Sequence, residues 1–438
     1  MLRRALFLLS LAAVAAVAQV SAPTPLAPQQ PAPQMQEPHN QVKTYTLPPE
    51  KLAKAIDYAR ARNWLHFIGF GYSVAVLAGL LAWRAAPRFR NWAQAASRRR
   101  IVQAYIFVPL LILATDGLGL PLSIYGQHLS LKYGQSIQSW GSWSWDWAKG
   151  ELIGFLIMGF VVWILYGVIR RSVRRWWFYF WLATIPIVVF LLFIEPVAIE
   201  PLFYKFEPLL GKQPALVAQI DKVVARGGLS IPHERMFEMK ASEKLNSLNA
   251  YVAGIGASKR VVVWDTTLQK MTGDQTLFVF GHEMGHYVLG HIFLSIVAIC
   301  LLLLVSLYAG YHAMTRMTAR WGGRWGITGV DDWASLPLLM LTMTVLSFAA
   351  EPMTNSFSRM LEHNADVYGL EVIHGIVPDA PQAAAQAFQI LGEVSLSDPN
   401  PSPFIEFWLY DHPAVSDRVR FAAEYDPWGQ GTAPKYVK

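Results

Sequence analysis

Six apolar segments in this chain are candidates for helices that cross a membrane. They lie at residues 64–83, 101–125, 152–169, 176–194, 292–309 and 336–350. The first four come close to the ~20 apolar residues that a helix needs to span the hydrocarbon of a bilayer. Hydrophobic residues make up 53 % of the chain and charged residues only 15 %, which is too apolar for a typical soluble protein. We therefore predict a mainly α, polytopic membrane helical bundle.

The composition of the segments along the chain predicts a signal segment, a linker and two domains. Residues 1–18 carry two arginines, an apolar core and then small residues, which is typical of a cleavable signal peptide or, alternatively, of an uncleaved anchor. Residues 19–60 are predicted to form a linker rich in proline and glutamine and a short helix. Residues 61–199 hold four spans and form an N-terminal membrane domain. Residues 200–438 form a second domain, of ordinary soluble composition apart from the last two spans.

Arginines concentrate in the loops after the first, third and fifth spans. Because positively charged loops stay in the cytoplasm, these loops predict the cytoplasmic side of the bundle. The soluble segment at 200–276 and the C-terminal tail then face out, which in a bacterial inner membrane is the periplasm. This pattern accounts for the formal net charge of +7, so no nucleic-acid partner is expected. The single cysteine, Cys300, excludes an intrachain disulfide and a cysteine ligand set for a metal.

The sharpest motif is GHEMGH at residues 281–286. Histidines at i and i+4 project from one face of a helix, close enough to share a cation. Neutral imidazole suits Zn²⁺, so His282 and His286 are predicted to bind one zinc ion per chain. Glu283 reaches the same face, where it would act as a general base toward water. The alternative is two unrelated helix histidines, which is disfavoured because unpaired polar groups beside a membrane span are costly.

A catalytic zinc site needs a third protein ligand and an open fourth position. His291 follows too early after the motif to fit the longer metzincin pattern. Glu362 is a better candidate, because Asp366 stands one helical turn after it, where a second carboxylate can orient a ligating histidine. Glu351 is the competing acid, but it directly precedes a proline and lacks such a partner. Spacing alone leaves Glu351 open as the alternative to Glu362.

Further motifs resemble those of the type I CAAX prenyl endopeptidases, a family of integral-membrane zinc metalloproteases. In chain order they are LPLSIY at 120–125, IEPLFYKFEPL at 199–209, NAY at 249–251 with KRVVVWDT at 259–266, SRMLEHNAD at 358–366, and HP at 412–413 followed by Arg418. The resemblance runs from about residue 120 to 420, which is most of the chain. It implies a membrane helical bundle with a gluzincin-type zinc metalloprotease domain that contains a small β-sheet.

The resemblance also implies a role for each matching residue. It assigns His282, His286 and Glu362 as metal ligands, Glu283, Asp366, His412 and Arg418 as catalytic residues, and Asn249, Ala250 and Tyr251 as substrate-binding residues. Asp366 would support the third ligand, Glu362, and in the family the corresponding residue is sometimes assigned as a proton donor. The substrate-binding residues would lie on an edge strand to which an extended peptide adds. His412 and Arg418 would stabilise negative charge that develops on the scissile carbonyl oxygen.

We therefore predict a membrane-embedded zinc metalloendopeptidase that acts on peptides or membrane-associated proteins. A polytopic metal-binding transporter is the rival from another class, but its spans would carry many ionisable residues, and these carry few besides His66 and Asp116. A catalytically inactive peptide-binding scaffold of the same fold is a second rival, against which the intact Glu283 argues. The family's eukaryotic members are described with a cytosolic site, whereas the arginine pattern here predicts an outward one. The resemblance therefore leaves the substrate open.

Overall fold

The computed structural model describes residues 41–254 and 259–437. The predicted signal peptide and most of the predicted linker lie outside these residues. Helices dominate the described chain, which confirms the predicted fold class. In chain order they are α1 (Pro49–Ala82), α2 (Ala85–Ala96), α3 (Arg100–Lys132), α4 (Trp140–Arg171), α5 (Trp176–Ile194), α6 (Pro214–Arg226), α7 (Asp265–Lys270), α8 (Gly273–Val288), α9 (His291–Trp325), α10 (Leu336–Ile373), α11 (Ala380–Ser395), α12 (Pro403–Leu409) and α13 (Val415–Glu424).

Five of the described helices are long and apolar enough to cross a membrane, namely α1, α3, α4, α9 and α10. A sixth span forms if α5 and the helical turns at Glu195–Leu202 count as one broken helix, which bends by 44°. Each predicted apolar segment overlaps one of these six. Helix α5 matches its apolar segment, whereas the other helices are longer because they continue into further residues, so that α9 has 35 residues and α10 has 38.

The outer faces of these helices are apolar and exposed. Trp64, Leu156, Phe293 and Val305 are each more than half exposed. Apolar surface in contact with water costs about 25 cal/mol per Å² relative to an apolar environment. Lipid hydrocarbon removes this cost, so the rim of the bundle is suited to a bilayer.

Two pairs of polar side chains join helices inside the bundle. The hydroxyl oxygens of Tyr166 in α4 and Ser335, which precedes α10, are 2.7 Å apart. Nε1 of Trp333 donates a hydrogen bond to Oε1 of Gln103 in α3 over 3.1 Å. Polar groups in hydrocarbon have no water to bind, so these contacts hold α3, α4 and the start of α10 together.

The arginine-rich ends of the membrane helices meet at one end of the bundle. Arg84, between α1 and α2, donates from Nε to the carbonyl oxygen of Arg324 in α9 over 2.9 Å. The guanidinium carbon of Arg170 in α4 lies 4.3 Å from the centroid of the Trp333 ring, just before α10. The three loops that the charge pattern assigned to one side therefore adjoin one another.

A small sheet follows the fifth helix. Its strands are β1 (Phe206–Pro208), β2 (Met236–Met239), β3 (Ala250–Ala253) and β4 (Arg260–Trp264). They stand in the order β1-β2-β4-β3, in which β2 and β4 are parallel and the other pairs are antiparallel. β3 therefore forms one edge of the sheet, with Tyr251 opposite Val262 of β4.

Helix α10 joins the membrane bundle to the soluble part. It begins at Leu336, beside the arginine-rich end, and runs through Pro352 to Ile373. At ~1.5 Å per residue the helix is about 57 Å long, which exceeds the thickness of the hydrocarbon. Its last turns are buried in the core of the soluble part. The turn that carries Glu362 thus lies far from the arginine-rich loops.

Candidate metal centre

Helix α8 presents two imidazoles on one face. It begins with a capping box, in which the Thr272 hydroxyl accepts from the backbone N–H of Gln275 and the Gln275 side chain accepts from the backbone N–H of Thr272. This cap satisfies two N–H groups that would otherwise lack a helical partner and so fixes where the helix starts. His282 and His286 follow one turn apart, with their Nε2 atoms separated by 3.1 Å.

Helix α10 brings a carboxylate to the same point. Oε2 of Glu362 lies 3.2 Å from Nε2 of His282, and Oε1 lies 3.4 Å from Nε2 of His286. One atom of each residue lies within 4.8 Å of the other two, which is the geometry of a site with three protein ligands. The competing acid, Glu351, instead contacts Nε2 of His66 in α1 over 3.0 Å. Of the two acids, Glu362 is the one that the fold brings to the histidines.

The close approach of α8 and α10 depends on glycine. A Cβ atom at Gly281 would lie 2.9 Å from the Val372 side chain and 3.3 Å from the carbonyl oxygen of Gly369. A Cβ atom at Gly369 would lie 2.9 Å from the backbone nitrogen of His282. These distances leave no room for a side chain between the two backbones. The glycines therefore let α8 and α10 approach closely enough for the side chains of His282 and Glu362 to meet.

The donor set fits a divalent metal ion. Glu362 is 8 % exposed, and its Oε2 makes no well-directed hydrogen bond to a described residue, although Nε2 of His412 lies 3.1 Å away. A buried carboxylate oxygen without a hydrogen bond is costly. A cation between this oxygen and the two imidazoles of α8 would satisfy it. Two histidines and one glutamate also match the ligand chemistry of catalytic metal sites in proteases.

Each histidine of α8 has a second neighbour at its other ring nitrogen. Nδ1 of His282 lies 2.8 Å from Oδ1 of Asp366, although the imidazole must rotate slightly before its N–H points at that oxygen. Nδ1 of His286 lies 3.0 Å from Nδ1 of His291. Such contacts hold a ligating imidazole in one orientation and one tautomer. Asp366 thus stands behind His282, whereas His291 stands behind His286 and outside the ligand cluster.

Two basic side chains near the C-terminus complete the site. Arg418 in α13 donates from Nε to Oδ2 of Asp366 over 2.9 Å and from Nη2 to Oδ1 over 2.6 Å. Nδ1 of His412 lies 2.9 Å from Oδ1 of Asp411, and its Nε2 faces Glu362. Burial opposes protonation of His412, but the two carboxylates outweigh it and raise the pKa of His412 to about 10. His412 thus faces a carboxylate with each ring nitrogen, and Arg418 is engaged with Asp366.

Burial shifts the pKa values of Glu283 and His286, two side chains on α8. Burial raises the pKa of Glu283 to about 7, and the nearby Glu362 carboxylate adds to the rise. A carboxyl group with a pKa near neutrality can both accept and release a proton during one reaction. Burial lowers the pKa of His286 to about 3, which keeps its imidazole in the neutral form that binds metals.

The predicted substrate-binding residues lie at the sheet edge next to α8. Strand β3, which begins at Ala250, packs against α8, and its outer edge pairs with no strand of the described chain. The carbonyl oxygen of Asn249 accepts from the Thr267 hydroxyl over 2.9 Å, which holds the start of the strand. The Tyr251 hydroxyl donates to Oε2 of Glu200 over 2.7 Å. The side chain is thus anchored while the outer backbone edge of β3 stays available.

Three residues at the site had no role in the sequence-based interpretation. Glu200 holds Tyr251, Asp411 binds His412, and Arg359 donates to the carbonyl oxygen of Glu406 over 3.0 Å. Glu200 and Arg359 belong to motifs that the sequence singled out, and Asp411 directly precedes another. Motif membership was therefore the available signal. The partners remained unknown because they are distant in the chain or depend on side-chain orientation.

Comparisons with known proteins agree with this fold. The profile of peptidase family M48 matches residues 211–426, and the profile described as "CAAX prenyl protease N-terminal, five membrane helices" matches residues 33–205. The uncharacterized metalloprotease YhfN of Bacillus subtilis is 37 % identical over 376 residues, which is 86 % of each chain. The CAAX prenyl protease 1 homolog of Oryza sativa subsp. japonica is 25 % identical over 89 % of this chain and 92 % of its own. The crystal structure of S. mikatae Ste24p shares the fold with a TM-score of 0.74 at 22 % identity, covering 86 % of this chain and 90 % of that chain.

The fold and the site together define an integral-membrane metalloprotease. In the described part of the chain, five or six membrane-capable helices carry a soluble part in which two histidines and a glutamate meet. The chain belongs to peptidase family M48, as its matches to the family profile and to the Bacillus subtilis relative show. Membership makes it a metal-dependent protease that acts on peptide or protein substrates in a membrane setting.

Proposed function

We propose that this protein is a zinc-dependent endopeptidase of a bacterial inner membrane with its catalytic site on the periplasmic side. The observation that carries the proposal is the convergence of His282, His286 and Glu362 beside Glu283. A bound Zn²⁺ at this ligand set, one per chain, would act as a Lewis acid that polarises the scissile carbonyl and acidifies water. The substrates are peptides or membrane-associated proteins.

The residues around the ligands divide the remaining chemistry. Glu283 accepts a proton from the attacking water and delivers it to the leaving amine, a task that suits a pKa near 7. His412, whose Nε2 lies 3.1 Å from Glu362 beside the ligand cluster, donates a hydrogen bond to the carbonyl oxygen as negative charge develops. Arg418 holds Asp366, which in turn orients His282. The guanidinium adds positive charge near the site without leaving its partner.

Substrate binding is assigned to the edge of β3. A peptide in extended conformation can add to this edge through main-chain hydrogen bonds, with little dependence on its side chains. Asn249, Ala250 and Tyr251 would hold the residues on either side of the scissile bond. Because β3 packs against α8, the bound backbone lies along the helix that carries the metal ligands. Residues 200–438, which include two membrane spans, then form the metalloprotease domain, and residues 61–199 form the N-terminal membrane domain.

The outward orientation is supported by the two ends of α9. The helix begins at His291, beside the metal centre, and its last turns carry Arg316, Arg320 and Arg324. Positively charged helix ends stay in the cytoplasm, so the metal centre lies on the opposite side. Several relatives are named CAAX prenyl protease 1. A periplasmic site would meet different substrates from a cytosolic one, and we therefore propose periplasm-exposed peptides and membrane proteins.

Cleavage of a quenched-fluorescent peptide library tests the activity. The wild type in detergent should cleave peptides, and a zinc chelator should stop cleavage. Glu283→Gln should abolish turnover while the protein still carries one zinc per chain, and Glu234→Gln, at an exposed acid of the soluble part, should behave as wild type. Loss of zinc from Glu283→Gln would assign that carboxylate a structural role. Zinc without any cleavage in the wild type would favour the peptide-binding scaffold.

Cysteine labelling tests the orientation. In a Cys300→Ser background, Glu234→Cys places a thiol on the soluble part and Gln94→Cys places one on α2, and both positions are exposed. A membrane-impermeant maleimide should label the Glu234→Cys variant in intact spheroplasts. It should label the Gln94→Cys variant only after lysis. The reverse pattern would place the catalytic site in the cytoplasm and contradict the periplasmic assignment.

A further inference from the structure

His291 is the first residue of the membrane helix α9, and it stands directly behind the metal-ligand helix. Helix α8 ends at Val288, and only two residues separate it from α9. Gly290 has φ of +70°, a backbone conformation that residues with a side chain rarely adopt. This tight turn brings the start of α9 back against the last turn of α8.

The contact between the two imidazoles is close and buried. Nδ1 of His291 lies 3.0 Å from Nδ1 of His286, and the ring centroids are 5.1 Å apart at an interplanar angle of 71°. His291 is 4 % exposed, so water does not compete for this contact. Two nitrogens at hydrogen-bond distance share one proton, and one imidazole must donate while the other accepts.

The ligand cluster decides which of them donates. Nε2 of His286 faces His282 and Glu362, at 3.1 and 3.4 Å, so Nε2 is the atom turned toward the metal. A neutral imidazole that offers the lone pair of Nε2 carries its proton on Nδ1. That proton points to His291. His291 must therefore accept through Nδ1 and carry its own proton on Nε2.

We propose that His291 is a positioning residue that accepts the Nδ1 proton of His286 and thereby holds Nε2 toward the metal. This inference rests on the proposed function, because it takes His286 as a zinc ligand. It also gives the two histidines of α8 different supports: His282 is backed by the carboxylate of Asp366, and His286 is backed by a neutral imidazole from a membrane helix. The orientation of one ligand thus depends on where α9 begins.

The test compares His291→Leu with His291→Asn. Leucine has a similar volume and no acceptor, whereas the Oδ1 of asparagine stands as many bonds from Cβ as the Nδ1 of histidine does. Zinc affinity, measured by competition with a chromophoric chelator, should fall 10- to 100-fold in His291→Leu, as for other residues that orient a metal ligand. His291→Asn should recover most of this loss. The rate of zinc release to excess chelator should rise in the same order.

His312 provides the matched control, because it lies on the same helix and contacts only Tyr308 and Tyr311 among the described aromatic rings. His312→Leu and His312→Asn should bind zinc like the wild type. The thermal unfolding midpoint of each zinc-free variant reports structural damage separately, and it should not distinguish His291→Leu from His291→Asn. If His291→Leu does not fold, His291→Gln replaces it. The glutamine amide stands one methylene farther from the backbone than the asparagine amide. The His291→Gln variant should therefore bind zinc more weakly than the His291→Asn variant.

The outcomes separate the two proposals. Wild-type zinc affinity in His291→Leu, or equal losses in the leucine and asparagine variants, would overturn the positioning role while leaving the zinc site intact. A wild-type protein that binds no zinc would instead overturn the proposed function. The d–d absorption of Co²⁺ bound in place of zinc adds a direct readout, because a reoriented imidazole changes the ligand field in His291→Leu and should leave the His312 variants unchanged.

Discussion

Arg418 donates two hydrogen bonds to the carboxylate of Asp366, from Nε over 2.9 Å and from Nη2 over 2.6 Å. This fork joins α13, near the end of the chain, to the helix that carries Glu362. Asp366 is 1 % exposed and also lies 2.8 Å from Nδ1 of His282. The position of one proposed metal ligand, His282, is therefore tied to a residue more than a hundred positions later in the chain.

Arg418→Met should destabilise the protein by about 3–5 kcal/mol, because it leaves the Asp366 carboxylate buried without its cation. The measurement is chemical or thermal unfolding in detergent, together with zinc affinity, which should also fall. Arg420→Met is the matched control on the same helix, where Arg420 pairs with Asp417 in an exposed i,i+3 contact. That change should cost less than about 1 kcal/mol. Equal effects of the two substitutions would contradict the anchoring role of Arg418.

Gly281→Ala should separate α8 from α10, because the added methyl group would meet Val372 at 2.9 Å. Overpacking of this kind costs about 1–3 kcal/mol, and zinc affinity should fall with it since the ligands sit on the two helices that move apart. Gly154→Ala in α4 is the control, as a Cβ there meets nothing within 4 Å. It should leave both the unfolding midpoint and the zinc affinity near their wild-type values. Unchanged zinc affinity in Gly281→Ala would show that the helices can adjust.

Arg359→Met should lower the turnover rate without removing zinc. Arg359 donates to the carbonyl oxygens of Glu406 and Tyr410, and these residues lead directly to His412. If His412 stabilises the carbonyl oxygen, His412→Ala should lower kcat by about 10²-fold or more. The loss in Arg359→Met should be smaller, and the double variant should be no worse than His412→Ala alone, because both changes remove one interaction. Additive losses in kcat would mean that Arg359 acts independently of His412.

Zinc should stabilise the fold by mass action. At a free zinc concentration 100 times the dissociation constant, the free energy of unfolding should rise by about 2.7 kcal/mol relative to the metal-free protein. The unfolding midpoint of the wild type should therefore rise with zinc, whereas that of His282→Ala should not. His363→Ala, at the exposed neighbour of Glu362, should retain the zinc dependence. A zinc-dependent midpoint in His282→Ala would point to binding elsewhere.

Local sequence patterns predicted the helical membrane bundle and the helix that carries His282 and His286. These features depend on periodicity and length, which are properties of contiguous residues. The pairing of His282 with His286 belongs to the same class, because helix geometry alone puts residues i and i+4 together. Spacing favoured Glu362 over Glu351 only modestly, through the position of Asp366, and the resemblance to a family then assigned Glu362 as the third ligand.

Only the tertiary structure decided which acid meets the histidines, since both acids lie on α10 and the choice depends on where α8 crosses it. The glycines at 281 and 369 set that crossing by letting two backbones approach, and their partners are far apart in the chain. The proposed role of His291 could not be predicted for the same reason. Its spacing excluded it as a third ligand, and only the turn at Gly290 brings it next to His286. A sequence determines what a helix presents on its face. The packing of one face against another determines which groups share a proton or a metal, because those distances are settled by contacts between residues remote in the chain.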